Sequence, residues 1–160
     1  MTNYWLLGTT MENFNIARKR AFDVECFHDL YEKRVKMVKH NDGLVYYIWK
    51  CCKFGAITEA VGNYFFDDNP DHRIFIGLPK NPSEIYPHRF ETSPKFIPKS
   101  EELIDVETFQ SSLSFITPKQ RAYNWKLAFR PSLQPLPQED YQFIKSAMKK
   151  SGYYKEVNPY

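Results

Sequence analysis

The residues best equipped for covalent chemistry are Cys26 and His28. On a strand, residues two apart face the same side, so thiol and imidazole could form a nucleophile pair. No cysteine-nucleophile signature surrounds them. Cys51 and Cys52 are adjacent, which lacks the two-residue gap of a zinc knuckle, and no second Cys or His pair sits at finger spacing. His40 and His72 fall in turn-like polar stretches. The acidic pairs Asp67-Asp68, Glu101-Glu102 and Glu139-Asp140 lie in loops or at helix starts, where solvation and capping account for them. The 6 glycines form neither a Walker-type nor a dinucleotide loop, and Gly-x-Ser-x-Gly is missing. The expectation is a chain with no catalytic centre, no bound metal and no cofactor.

Aromatic and basic groups remain, and they bind rather than react. The 160 residues include 13 Phe, 11 Tyr and 3 Trp, a surplus that supplies flat faces for stacking bases. A formal net charge of +3 is weak for a sequence-independent DNA binder, so any polyanion must be met by a local patch. The densest basic runs are Arg18-Lys19-Arg20, Lys33 to Lys39 and Lys119 to Arg130.

The elements that must position these groups can be read along the chain. Tyr4-Trp5-Leu6-Leu7 is a short buried strand. Thr9 with Glu12 three positions later reads as a capping box for a helix running to about Arg20. Leu30 to Lys39 is a second short helix or turn. His40-Asn41-Asp42-Gly43 is a tight turn, after which Leu44 to Trp49 and Phe54 to Val61 read as a hairpin. Residues 67–87 form a long irregular connection around one strand, Arg73 to Ile76, and His88 to Phe96 is a further strand. Phe109 and Leu113 fall four apart and predict a helix over Val106 to Phe115. The last helix opens with Pro137-Gln138-Glu139-Asp140 and turns Tyr141, Ile144 and Met148 inward. Residues 1–150 make one domain and 151–160 a polar tail or linker. This order describes an α+β domain with a strongly curved sheet or small barrel.

The first residues lack the basic start and apolar stretch of a signal peptide, and no window reaches the ~18 apolar residues of a membrane span. An odd count of 3 cysteines suits a reducing compartment, so the expected location is the cytoplasm, away from membranes.

Several blocks together resemble EVE domains. Tyr4-Trp5-Leu6-Leu7 followed by Met11-Glu12-Asn13-Phe14 is similar to the family's opening strand and helix. Lys39 to Tyr47, Lys53 to Ala60, Glu84 to Phe90, Leu113 to Ile116 and Leu136 to Tyr141 continue the likeness in family order. The resemblance implies a PUA-like fold, a small, strongly curved β-barrel with flanking helices, related to the YTH readers of N6-methyladenine. It implies a non-catalytic module that holds one flipped, modified base in an aromatic cage. Methylated cytosine or N6-methyladenine, in DNA before RNA, is the expected target. The implied setting is the specificity end of a methylation-dependent restriction system, fused to or associated with a motor or nuclease.

Carried over residue by residue, Asn13 matches the asparagine that bonds the base edge. Phe22 stands where the family usually has the cage tryptophan, a departure that offers a smaller ring. Asp23 stands where a small polar residue contacts the base, and as an acid it could accept from an exocyclic amine. The second wall is left to His88 or Phe90, to Tyr123 and Trp125, and to Trp49 at the end of the central strand. Arg18, Lys19 and Arg20 near the pocket, with Arg121, Lys126 and Arg130 about the aromatic run, would meet phosphates. Two other readings stay open: a PUA-like RNA-binding protein without modified-base specificity, and an enzyme using Cys26 and His28.

Overall fold

The computed structural model describes residues 1–157. The first strand, β1 (Tyr4–Thr9), lies parallel to β3 (Gly43–Ile48) over six register pairs, from Tyr4 with Gly43 to Thr9 with Ile48. That pairing keeps Thr9 in the sheet. Thr10, one residue later than expected, therefore caps α1 (Met11–Lys19), its hydroxyl accepting from the Asn13 amide at 3.1 Å. Two left-handed residues, Ala21 and Phe22, turn the chain from α1 into β2 (Val24–Phe27). A 3-10 turn at Asp29–Tyr31 leads into α2 (Glu32–Met37), which agrees with the short second helix expected there.

The β3–β4 hairpin forms as read, with β4 at Lys53–Ala60. Its register slips by one residue around Tyr46, which re-aims that side chain and bends the sheet. Phe14 of α1 packs so closely on β4 that a Cβ at Gly55 would lie 2.5 Å from its ring. After β5 (Phe65–Phe66) the connection to β6 (His88–Pro98) is irregular. The strand expected at Arg73 to Ile76 is absent; the segment holds only a 3-10 turn at Pro70–His72, because β2 and β5 already pair with the start of β6. β6 also pairs with β4 at its middle, and β7 (Ile104–Asp105) pairs with the start of β4.

The helix expected over Val106 to Phe115 is replaced by a 3-10 turn at Gln110–Ser112. The Arg121 guanidinium takes the Gln110 and Leu113 carbonyls, and Asp140 takes the Ser114 and Phe115 amides. Backbone groups that a helix would pair internally are thus satisfied from outside. Arg121 itself sits on α3 (Pro118–Tyr123), which a Thr117–Gln120 capping box starts. A 3-10 stretch at Trp125–Phe129 and the strand β8 (Leu133–Pro135) follow, β8 running antiparallel to β1. Helix α4 (Gln138–Ser151) buries Tyr141, Ile144 and Met148, as its spacing predicts. Within the expected tail or linker, residues 154–156 form β9 (Tyr154–Glu156), which pairs with β6. The rest of the expected tail, residues 158–160, lies outside the described residues.

The path β2-β6-β4-β3-β1-β8 curls into a half-barrel with the four helices around it, an α+β fold as expected. Leu44, Ile48, Phe54, Ile57, Phe90 and Phe129 are among the fully buried side chains of its core. No helix among the described residues is long and apolar enough to cross a membrane.

Candidate nucleic-acid interface

A cavity of about 350 Å³ opens where β1 ends, α1 begins and β2 runs along the sheet edge. This is within the size range of small-ligand pockets. Its walls carry five aromatic rings: Phe27, Tyr31, Trp49, Phe75 and Tyr86. Three of them are fixed from behind. Phe27 stacks on Phe90 with centroids 5.7 Å apart. The Tyr31 hydroxyl accepts from the Ser132 amide at 3.0 Å, and the Trp49 indole donates to the Phe129 carbonyl at 2.8 Å. The Trp49 ring also lies flat against β1, because Gly8 has no side chain; a Cβ there would meet it at 2.7 Å.

The remaining wall is the 67–87 connection, held by two buried side chains. The Asn13 amide donates to the Ile76 carbonyl at 2.9 Å and accepts from the Ile76 amide at 2.8 Å. The Arg89 guanidinium donates to the His72, Ile85 and Tyr86 carbonyls, each at 3.1 Å. Tyr86 adopts the left-handed region at φ 52°, which is rare for a bulky residue and clusters at functional sites.

Glu25 lies in the cavity lining yet is only 5% exposed. The Tyr46 hydroxyl, delivered by the slipped register of β3, donates to its Oε1. Burial pushes the Glu25 carboxyl up to about 8; the Tyr46 hydroxyl and the Cys26 amide pull the other way, and Asp23 adds slightly. Cys26 lines the same cavity, and burial raises its thiol far above the ordinary value. That is the opposite of what a thiolate nucleophile needs, and the neighbouring His28 lies 3.5 Å from Glu84. No group of three His, Cys, Asp or Glu side chains among the described residues is placed to hold a metal ion.

Beside the cavity, and sharing Trp49, Leu78 and Arg130 with it, runs a shallower groove that adds Lys50 and Lys126. With Lys80 on the cavity rim, these make four exposed cations, and none enters an ion pair among the described residues. Such a rim matches a phosphate backbone. Leu30, 78% exposed, stands on the same rim.

Of the residues expected in the site, the structure brings together Asn13, Trp49, Arg130 and, in the adjoining groove, Lys126. It places the others elsewhere. Phe22, expected as a cage wall, is 1% exposed and packs in the core against Phe14 and Tyr46, since its left-handed backbone turns the ring inward. Asp23 is not at the base edge but on the surface, with two hydrogen bonds from Arg20 at 3.0 and 3.1 Å. Phe90 forms the layer behind Phe27, and buried His88 joins Tyr64 to Asp29, 2.7 Å from each. Tyr123 is 84% exposed outside the cavity, and Trp125 packs edge-on to Phe129 with Lys126 over its ring. Arg18 contacts the Pro98 carbonyl and Glu101, Arg20 pairs with Asp23, and Arg121 clamps backbone carbonyls, so these three already have partners and line neither pocket. Lys19 is exposed but lines neither pocket. Sequence reasoning missed Glu25, Phe27, Tyr31, Phe75, Tyr86, Lys50 and Lys80. The strained Tyr86 follows the Glu84-Ile85 step and precedes Pro87, the one local signal that could have pointed to it.

The sequence model of the EVE domain family matches residues 3–147. No curated protein matches the chain. Among solved structures, human THYN1 in complex with 5-methylcytosine-containing DNA is similar at 14% identity and a TM-score of 0.55, covering 92% of this chain and 98% of its own. The YTH domain of the Zygosaccharomyces rouxii MRB1 protein, in complex with N6-methyladenosine RNA, is similar at 12% identity and 0.60, covering 92% and 87%. The Pho92 YTH domain in complex with m6A is similar at 11% identity and 0.66, covering 96% and 90%. At these identities the likeness is one of fold, and it is the PUA-like fold expected from the sequence.

Proposed function

The chain belongs to the EVE domain family, and from that premise we propose that it binds nucleic acid by taking one flipped, modified base into the Trp49 cavity. The observation that carries this reading is the cavity itself: five rings, an opening, and four cations on one side without an ion pair among the described residues. Extruding a base costs a few kcal/mol, and stacking on an aromatic returns about 1–3 kcal/mol. Phosphate contacts from Lys50, Lys80, Lys126 and Arg130 supply more. Leu30 is placed to enter the gap that the departed base leaves, as apolar wedges do in other DNA binders.

The target we propose is a modified cytosine in DNA, with N6-methyladenine next. The reading draws support from the complexes of similar fold, one with 5-methylcytosine DNA and two with methylated adenine. The setting we propose is the specificity end of a methylation-dependent restriction system, working with a motor or nuclease in the cytoplasm. Such a chain would direct cleavage of modified DNA only when that partner is supplied.

A competition panel tests the reading, using oligonucleotides with cytosine, 5-methylcytosine, 5-hydroxymethylcytosine, adenine or N6-methyladenine, each as DNA and RNA. The expected result is preference for one modified base by about tenfold or more, lost in Trp49→Ala. Equal affinity across the panel would overturn it.

A further inference from the structure

We infer that the Glu25 carboxylic acid reads the edge of the base held in the cavity, through an O–H on Oε2 and the remaining lone pair of Oε1. The inference rests on the base-reader function proposed above and names the group that would select the base.

Of the polar side chains that line the cavity, Asn13 and Glu25 are the two that are buried. Both heteroatoms of the Asn13 amide are engaged by Ile76. The Trp49 N–H is spent on Phe129, while the half-buried Tyr31 and Thr10 hydroxyls accept from the Ser132 and Asn13 amides. Glu25 is different. Its Oε1 accepts from Tyr46 and its carboxyl also feels the Cys26 backbone amide, while Oε2 has no side-chain partner. Nor is Oε2 sealed in the core; the described buried side-chain atom without any partner is the Thr58 hydroxyl. The Glu25 side chain is thus buried, and the space that its carboxyl lines is the cavity.

No cation neutralises it. Tyr46 faces it from β3, Cys26 follows it on β2, and Asp23 lies just before that strand. Arg89 from β6 and Arg20 after α1 are the cations felt at Cys26, but the first is committed to three backbone carbonyls and the second to Asp23. On the rim, His28 is matched with Glu84, and Lys80 and Arg130 are exposed to solvent. A buried acid without a cation keeps its proton at neutral pH, in agreement with its raised pKa. Because Tyr46 donates to Oε1, the acid proton belongs on Oε2.

The result is one donor and one acceptor side by side in a fixed order. A ring nitrogen flanked by an exocyclic amine complements it: the Oε2 hydroxyl donates to the ring nitrogen and Oε1 accepts from the amine. Cytosine and adenine share this edge, and a 5-methyl group on cytosine lies off it, free to touch the aromatic wall. Guanine presents two donors there, and thymine presents the same pair in reverse order. Once Glu25 ionises, an anion faces the lone pair of the ring nitrogen and the match is lost.

The test is fluorescence anisotropy with the full chain and a 5-methylcytosine oligonucleotide at pH 7, 8, 9 and 9.5, at constant ionic strength. The expected Kd is flat to about pH 8 and then rises about tenfold per pH unit. Glu25→Gln, which sets an N–H and a C=O in the same two places without titrating, should give a flat profile. Glu25→Ala should lose discrimination between 5-methylcytosine and thymine. A flat wild-type profile with selective binding intact would overturn this inference and leave the reader standing. No preference for any modified base at pH 7 would overturn the reader itself, and the inference with it. If circular dichroism shows that a variant fails to fold, the wild-type profile alone decides.

Discussion

Glu25 also sets how the fold responds to pH. Its carboxyl ionises near 4.5 in an ordinary setting and at about 8 when folded. A raised value means that the folded chain holds its proton after the unfolded chain has released it. The stability is therefore fully present below pH 4.5. It falls as pH rises toward 8, by up to about 1.4 kcal/mol per unit and about 5 kcal/mol in all. Urea titrations should show wild type losing stability relative to Glu25→Gln over that window; parallel curves would remove the buried neutral acid. Nothing in Val24-Glu25-Cys26-Phe27 announces this residue, because an acid between apolar neighbours reads as the solvent side of a strand. It is buried only because β6 and the slipped β3 register close over it. That Asn13, Trp49 and Arg130 would share a cavity was legible, the first through family likeness and the others as a ring and a cation ending their segments. Phe22 was misplaced because its side chain direction depends on a left-handed backbone that a phenylalanine rarely adopts.

Among elements, the 67–87 connection matters most, since it forms a wall of the site without regular structure. Arg89, on the rigid β6, fixes it through three carbonyls. Arg89→Met keeps the stem but leaves those carbonyls unpaired, and should cost about 2–4 kcal/mol. Hydrogen exchange should speed up across residues 72–86 while β3 and β4 stay protected; uniform exchange would show that the wall is held otherwise. The sequence pattern was dependable where burial alone decides, as in the β3–β4 hairpin and the inward face of α4. It failed where distant side chains claim backbone groups. Phe109 and Leu113 have helical spacing and do pack inward, yet Arg121 and Asp140 bind the backbone there and leave only a 3-10 turn. Such pairings lie beyond any local window.

Across the whole molecule, a net charge of +3 conceals an uneven distribution. Many cations are locked to acids or carbonyls, whereas Lys50, Lys80, Lys126 and Arg130 stand free along one rim. Replacing both Lys126 and Arg130 with Ala should lower the slope of log affinity against log salt by about two, equally for modified and unmodified DNA. Arg20→Ala should leave that slope unchanged; a drop as large as that of the double variant would move the phosphate contacts to the other face. Composition predicted that a local patch was needed, but which cations stay free depends on tertiary partners. The Asn13–Ile76 pairing spans 63 positions and ties the first helix to the far wall. It has one more consequence. Because the chain supplies its own occupant for this amide, both its nitrogen and its oxygen already have a partner. A guest that took over Asn13 would be credited only with the difference between its bonds and those it displaced, so this residue would rank guests rather than retain them.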